Sequence, residues 1–206
     1  MKIVTTFVII LLGIISCSKN ESFSADFKEE ISQKDVSFSF HKDVEPSFYK
    51  YFLDDRKLML KLNANQESLN SFISIFSDQR LDPSEVPILT KLSGFRSDFD
   101  MKKYYSTMNE FYKKNRHVTY ASIETKLKGE LFSDEISNFV NPCTTIKNNC
   151  LIAVAAEAGI MHIACAALDP TVIAGIICHG LAITWQITQG NICISNAQTC
   201  NSSGPQ

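Results

Sequence analysis

From Pro46 onward apolar residues recur at helical spacing. Phe48, Tyr51, Phe52, Leu58, Met59 and Leu62 share one face, with Pro46 near the first turn. Asn63 to Asn65 breaks the run. Leu69, Phe72, Ile73 and Phe76 then form a second amphipathic stretch. Asp82-Pro83-Ser84-Glu85 predicts a third helix start, with a capping Asp, Pro at the first helical position and Glu three residues after the cap. Pro87 keeps that helix short or bent, and Gly94 suits its end. Ser97 opens a fourth helix, where Met101, Tyr104, Tyr105, Met108, Phe111 and Tyr112 follow the i, i+3, i+4 rule. A fifth covers about Tyr120 to Leu131, and Ser133-Asp134-Glu135-Ile136 starts a last turn or two. Upstream, Val36 to Phe40 alternates and predicts one short strand.

The pattern changes after Asn141. Leu151 to Leu168 and Thr171 to Gln189 are apolar runs of helix length, separated by the cap-and-turn signal Asp169-Pro170. From Asn141 to Gln206 the only Asp, Glu, Lys or Arg residues are Lys147, Glu157 and Asp169. The same segment holds six of the seven cysteines. The fold class expected is therefore mainly α: a small charged helical domain over 46–140, then a disulfide-braced two-helix hairpin over 141–206.

The cysteine spacing sharpens that expectation. Cys143, Cys150, Cys165, Cys178, Cys193 and Cys200 are separated by 6, 14, 12, 14 and 6 residues, the same order read from either end. A chain folded back at its midpoint brings Cys143 level with Cys200, Cys150 with Cys193 and Cys165 with Cys178. Fifteen residues along a helix are four turns plus about 60°, so Cys150 and Cys165 share a face, as do Cys178 and Cys193. The inner pair needs a loose turn through Thr171 to Ala174. Local bridges 143–150 and 193–200 are the rival for the outer four, because Asn148-Asn149 and Gly190-Asn191 favour turns. A metal alternative would use His162, Cys165, Cys178 and His179 as zinc ligands. Without it both histidines are partly buried residues on Ala-rich helices.

The first sixteen residues read as an address. Lys2 is followed by a mostly apolar stretch, Ile3 to Ile15, too short to span a hydrocarbon core of about 30 Å. Ile14-Ile15-Ser16-Cys17 resembles the bacterial lipobox. That resemblance implies cleavage before Cys17 and lipidation of Cys17, with residues 17–45 as tether. It implies a membrane partner through the anchor and a place in the cell envelope, at the outer membrane or the cell surface. Disulfides suit such an exported compartment.

Composition excludes more than it selects. The chain has 206 residues, 45% hydrophobic and 20% charged, with a formal net charge of −2. That is neither a disordered chain nor a polytopic membrane protein, and it offers no general basic surface for nucleic acid. Lys102, Lys103, Lys113, Lys114 and Arg116 read as a solvated helix face, and His117 as an exposed loop residue. Seven of the 18 residues in Leu151–Leu168 are Ala and one is Glu157, so stable membrane insertion is not expected. There is no G-x-S-x-G, H-E-x-x-H, P-loop or glycine-rich dinucleotide turn. The carboxylate pairs Asp54-Asp55 and Asp98-x-Asp100 read as solvated helix faces or helix starts. No enzyme activity and no cofactor are expected.

The layout of Cys143 to Cys200, cysteine-dense, Ala-rich and apolar behind a charged helical segment, resembles the secreted cysteine-rich bacteriocins of the halocin type and fulvocin-related lipoproteins. The resemblance implies a membrane-active tail aimed at a target-cell membrane or surface receptor. It implies a mature peptide starting near Asn138 to Pro142, where no dibasic or double-glycine cleavage signal stands. The alternative is a non-enzymatic binding or structural lipoprotein, with the hairpin as a stabilising module.

Overall fold

The computed structural model describes residues 46–132, 141–168 and 171–203, all within a compact unit spanning Phe40–Gln206. The signal segment, Cys17, the strand at Val36 to Phe40, the turn at Ser133 to Ile136 and the Asp169-Pro170 bend lie outside the described residues. Those residues form seven helices: α1 (Phe48–Asn63), α2 (Gln66–Ser77), α3 (Val86–Ser93), α4 (Asp98–Lys114), α5 (Tyr120–Phe132), α6 (Pro142–Leu168) and α7 (Val172–Ser203). The fold is a helical domain with a disulfide-braced helical hairpin.

Each boundary has a local cause. Ser47, Asn65 and Ser97 accept hydrogen bonds from the backbone N–H of Lys50, Ser68 and Asp100, so each caps the helix that follows it. Gly94 ends α3 in the left-handed conformation, φ 82°, which glycine adopts without steric cost. The third helix starts later than Asp82 implies. The Asp82 N–H does donate to Glu85 Oε2 at 2.8 Å, but residues 83–85 form a turn and α3 begins at Val86. Pro87 explains the shift. It lacks an N–H and fits only the first turn of a helix, so the helix starts next to it.

The long helices α6 and α7 form the spine. They pack most extensively on each other; α4 and α5 lie against α6, while α1, α2 and α4 lie against α7. One core joins them: Leu62, Phe72, Phe76, Met101, Met108 and Ile123 from α1, α2, α4 and α5 are fully buried with Ile152, Ile176 and Ile183 of the hairpin. At the far end of α1, Asn63 and Asn191 exchange reciprocal amide hydrogen bonds of 2.6 and 3.1 Å.

Gly180 shows how closely the layers meet. A Cβ built there would lie 2.2 Å from Cε1 and Cζ of the fully buried Phe76. The aromatic ring of α2 thus rests on bare α7 backbone. Gly180→Ala is expected to lower unfolding free energy by about 1–3 kcal/mol through overpacking. Gly175→Ala, where nothing lies within 4 Å of the added carbon, is expected to be neutral or stabilising. Denaturant midpoints of the two variants check the contrast.

Candidate functional site

The structure pairs Cys143 with Cys200, Cys150 with Cys193 and Cys165 with Cys178, with Cα–Cα distances of 5.7, 5.7 and 5.5 Å. These are the nested pairs that the palindromic spacing singles out. Local 143–150 and 193–200 bridges do not form, because α6 and α7 are continuous helices through those segments and seven helical residues span about 10 Å. The inner pair becomes level because α7 starts at Val172, two residues past Pro170. Thr171 caps it, its Oγ1 accepting from the Ala174 N–H at 3.3 Å. At the open end, Asn141 Nδ2 donates to Asn201 Oδ1 at 3.1 Å.

The metal alternative is corrected in part. The fold does bring His162 and His179 together, but Cys165 and Cys178 are joined in a disulfide and present no thiolates. Among the described residues no group of three or more His, Cys, Asp or Glu side chains is placed to hold a metal. The histidines are also more deeply buried than their Ala-rich helices suggest, at 1% and 0% exposure.

What surrounds them is a polar cluster at the junction of α1, α4, α6 and α7. His162 Nδ1 and His179 Nδ1 are 2.8 Å apart across the hairpin. His179 Nε2 lies 3.3 Å from Asn109 Oδ1 on α4. His162 Nε2 is buried with no hydrogen-bond partner and faces Asp55 Oδ2 at 3.9 Å. Tyr112 stacks on His162 with ring centroids 4.9 Å apart, and Tyr105 stacks on His179 at 6.4 Å. Side chains from all four elements therefore meet at one point.

Asp55 corrects the surface reading of the Asp54-Asp55 pair. Asp54 stays near solvent, 2.7 Å from Lys50 Nζ, and accepts from the Tyr104 hydroxyl at 3.1 Å. Asp55 is 4% exposed. Burial raises its carboxyl pKa well above the usual carboxylate range; Asp54 adds to the rise and Lys50 opposes it. Burial holds His162 down at about 3. His179 is lowered well below its ordinary value, by burial first and then by His162. Burial thus disfavours the charged form of all three groups.

Asp98, in the other carboxylate pair, accepts from Thr90 Oγ1 at 2.6 Å and ties α4 to α3. The aromatic stripe of α4 is core, as its spacing predicts. The five basic residues around it are exposed, and His117 is an exposed turn residue.

Compared with known protein families, curated proteins and solved structures, the chain matches none.

Proposed function

We propose that this is an exported, lipid-anchored, non-enzymatic protein whose disulfide hairpin is the permanent structural spine of a helical binding module. The observation that carries this reading is the shared core. The inner faces of α6 and α7 are closed by α1, α2, α4 and α5, and of the buried hairpin histidines His179 is hydrogen-bonded to Asn109 of α4 while His162 faces Asp55 of α1. Three disulfides support the exported compartment. The lipobox-like Ile14 to Cys17 supports the anchor, and two or more acyl chains would hold the module firmly on an envelope membrane.

The anchor is tested directly. Cys17→Ser is expected to abolish acyl labelling and to leave the protein uncleaved or soluble. Acyl-free wild-type protein that still partitions with membranes would contradict the lipid anchor.

A second reading, a bacteriocin-like membrane-active tail, has its own observation. Pro142–Ala167 and Val172–Ser202 are long and apolar enough to cross a membrane by length and composition alone. In the folded unit about half of each is buried against protein, so the upstream helices would act as a restraint that proteolysis must remove. The oxidised 141–206 segment should then cause liposome leakage or inhibit growth of related strains at micromolar dose. Inactivity across a broad panel would leave the structural reading alone.

A further inference from the structure

The unpartnered nitrogen of His162 has a use that follows from the directions of its neighbours' hydrogen bonds. Asn109 Oδ1 can only accept, so the His179 Nε2 that faces it at 3.3 Å carries the proton. In a neutral ring, His179 Nδ1 is then a bare lone pair. The 2.8 Å contact between the two Nδ1 atoms therefore needs a proton on His162 Nδ1, which donates. This leaves His162 Nε2 as an unprotonated acceptor, 1% exposed and without a partner. A buried acceptor in that state costs about 1–3 kcal/mol.

The group it faces does not satisfy it directly. Asp55 Oδ2 is 3.9 Å away, beyond hydrogen-bond range, yet one molecule can reach both atoms. Both residues line a small cavity of about 10 Å³, together with Gln186, Tyr112, Phe52 and Gly159, among others. That is roughly the room needed for one water, and Asp55, His162 and Gln186 are among its polar lining side chains. An apolar guest would leave the imidazole and the carboxyl unsatisfied.

We infer that this cavity is a binding site for a single structural water, which donates a hydrogen bond to His162 Nε2 and is anchored by Asp55. The water completes one chain of hydrogen bonds from α1, through both hairpin helices, to Asn109 on α4. Gln186 of α7 offers it a further amide partner.

The test is NMR of the full-length oxidised chain with ¹⁵N- and ¹³C-labelled histidine. His162 is expected as the Nδ1–H tautomer and His179 as the Nε2–H tautomer. Carbon-bound ring protons of His162 should show a water cross-peak with the sign of a long-lived interior molecule, unlike those of exposed His117. Asp55→Leu, which fills the cavity with an apolar side chain, should abolish that cross-peak. Resolved His162 ring protons with no water cross-peak would overturn the site, as would a cross-peak that persists in Asp55→Leu. Should Asp55→Leu fail to fold, the wild-type spectrum alone decides: a cross-peak of the interior-water sign supports the site and its absence overturns it.

Discussion

Removing the middle bridge with Cys150→Ser and Cys193→Ser is expected to lower the unfolding free energy by about 2–3 kcal/mol. A lone bridge closing a loop of 43 residues would contribute about 4 kcal/mol in the chain-entropy view. Here the outer bridge, closing 57 residues, and the inner one, closing 13, already restrict the unfolded chain. Full reduction should cost more than any single pair. It should also destabilise α1 to α5, which carry no disulfide among the described residues, because their apolar faces close on the hairpin. Denaturant unfolding in the presence and absence of reductant checks this. Unchanged protection of α1 to α5 after full reduction would mean that they fold without the braced spine.

Acid is the second large lever. His162 and His179 have folded-state pKa values depressed by burial. Their stabilising contribution is intact above the ordinary histidine value near 6.5 and is lost as pH falls below it, because the unfolded chain takes up two protons that the folded core refuses. Asp55 acts in the opposite sense: its pKa is raised, so the folded state keeps a proton that the unfolded chain releases above its ordinary value near 3.9. Below about pH 6.5 the unfolded histidines take up protons that the folded core resists, so stability falls on acidification, and Asp55 opposes part of that fall. His162 alone, held at about 3, should account for about 2 kcal/mol of that fall between pH 6.5 and 4.5. Asp55→Asn removes the opposing carboxyl, and the fall with acidification should steepen. His162→Gln with His179→Gln should flatten the wild-type fall. A pH-independent denaturant midpoint in the wild type would contradict the lowered histidine pKa values.

Much of this architecture is legible in the sequence because helices announce their buried faces. The stripes from Phe48 to Leu62 and from Met101 to Tyr112 locate α1 and α4, and Ser97 marks a start that the structure keeps. The cysteine gaps carry the hairpin register, since equal arms of an antiparallel pair must be equally long. The polar cluster was harder to see. Asp55 lies beside Asp54, and adjacent acids usually face water. Yet Asp55 falls on the buried stripe of Tyr51, Phe52, Leu58, Met59 and Leu62, and that position was the available signal. His179 and Gln186 likewise sit on the line of Ile176 and Ile183 in α7. Periodicity places such a residue inside, but only the tertiary fold shows that His162, His179, Asn109 and Asp55 converge. The Pro87 displacement of α3 is a competition between two start signals, which local rules alone do not rank.

The central claim, that the hairpin remains the integral spine of the protein, is tested most directly by non-reducing mass analysis of the mature protein. Cells expressing the natural chain would be separated into envelope and medium. The structural account predicts one tail-bearing species in the envelope fraction, with residues 141–206 continuous with the upstream helices and three nested bridges. An oxidised 141–206 peptide free in the medium would contradict it and would favour the released, membrane-active tail.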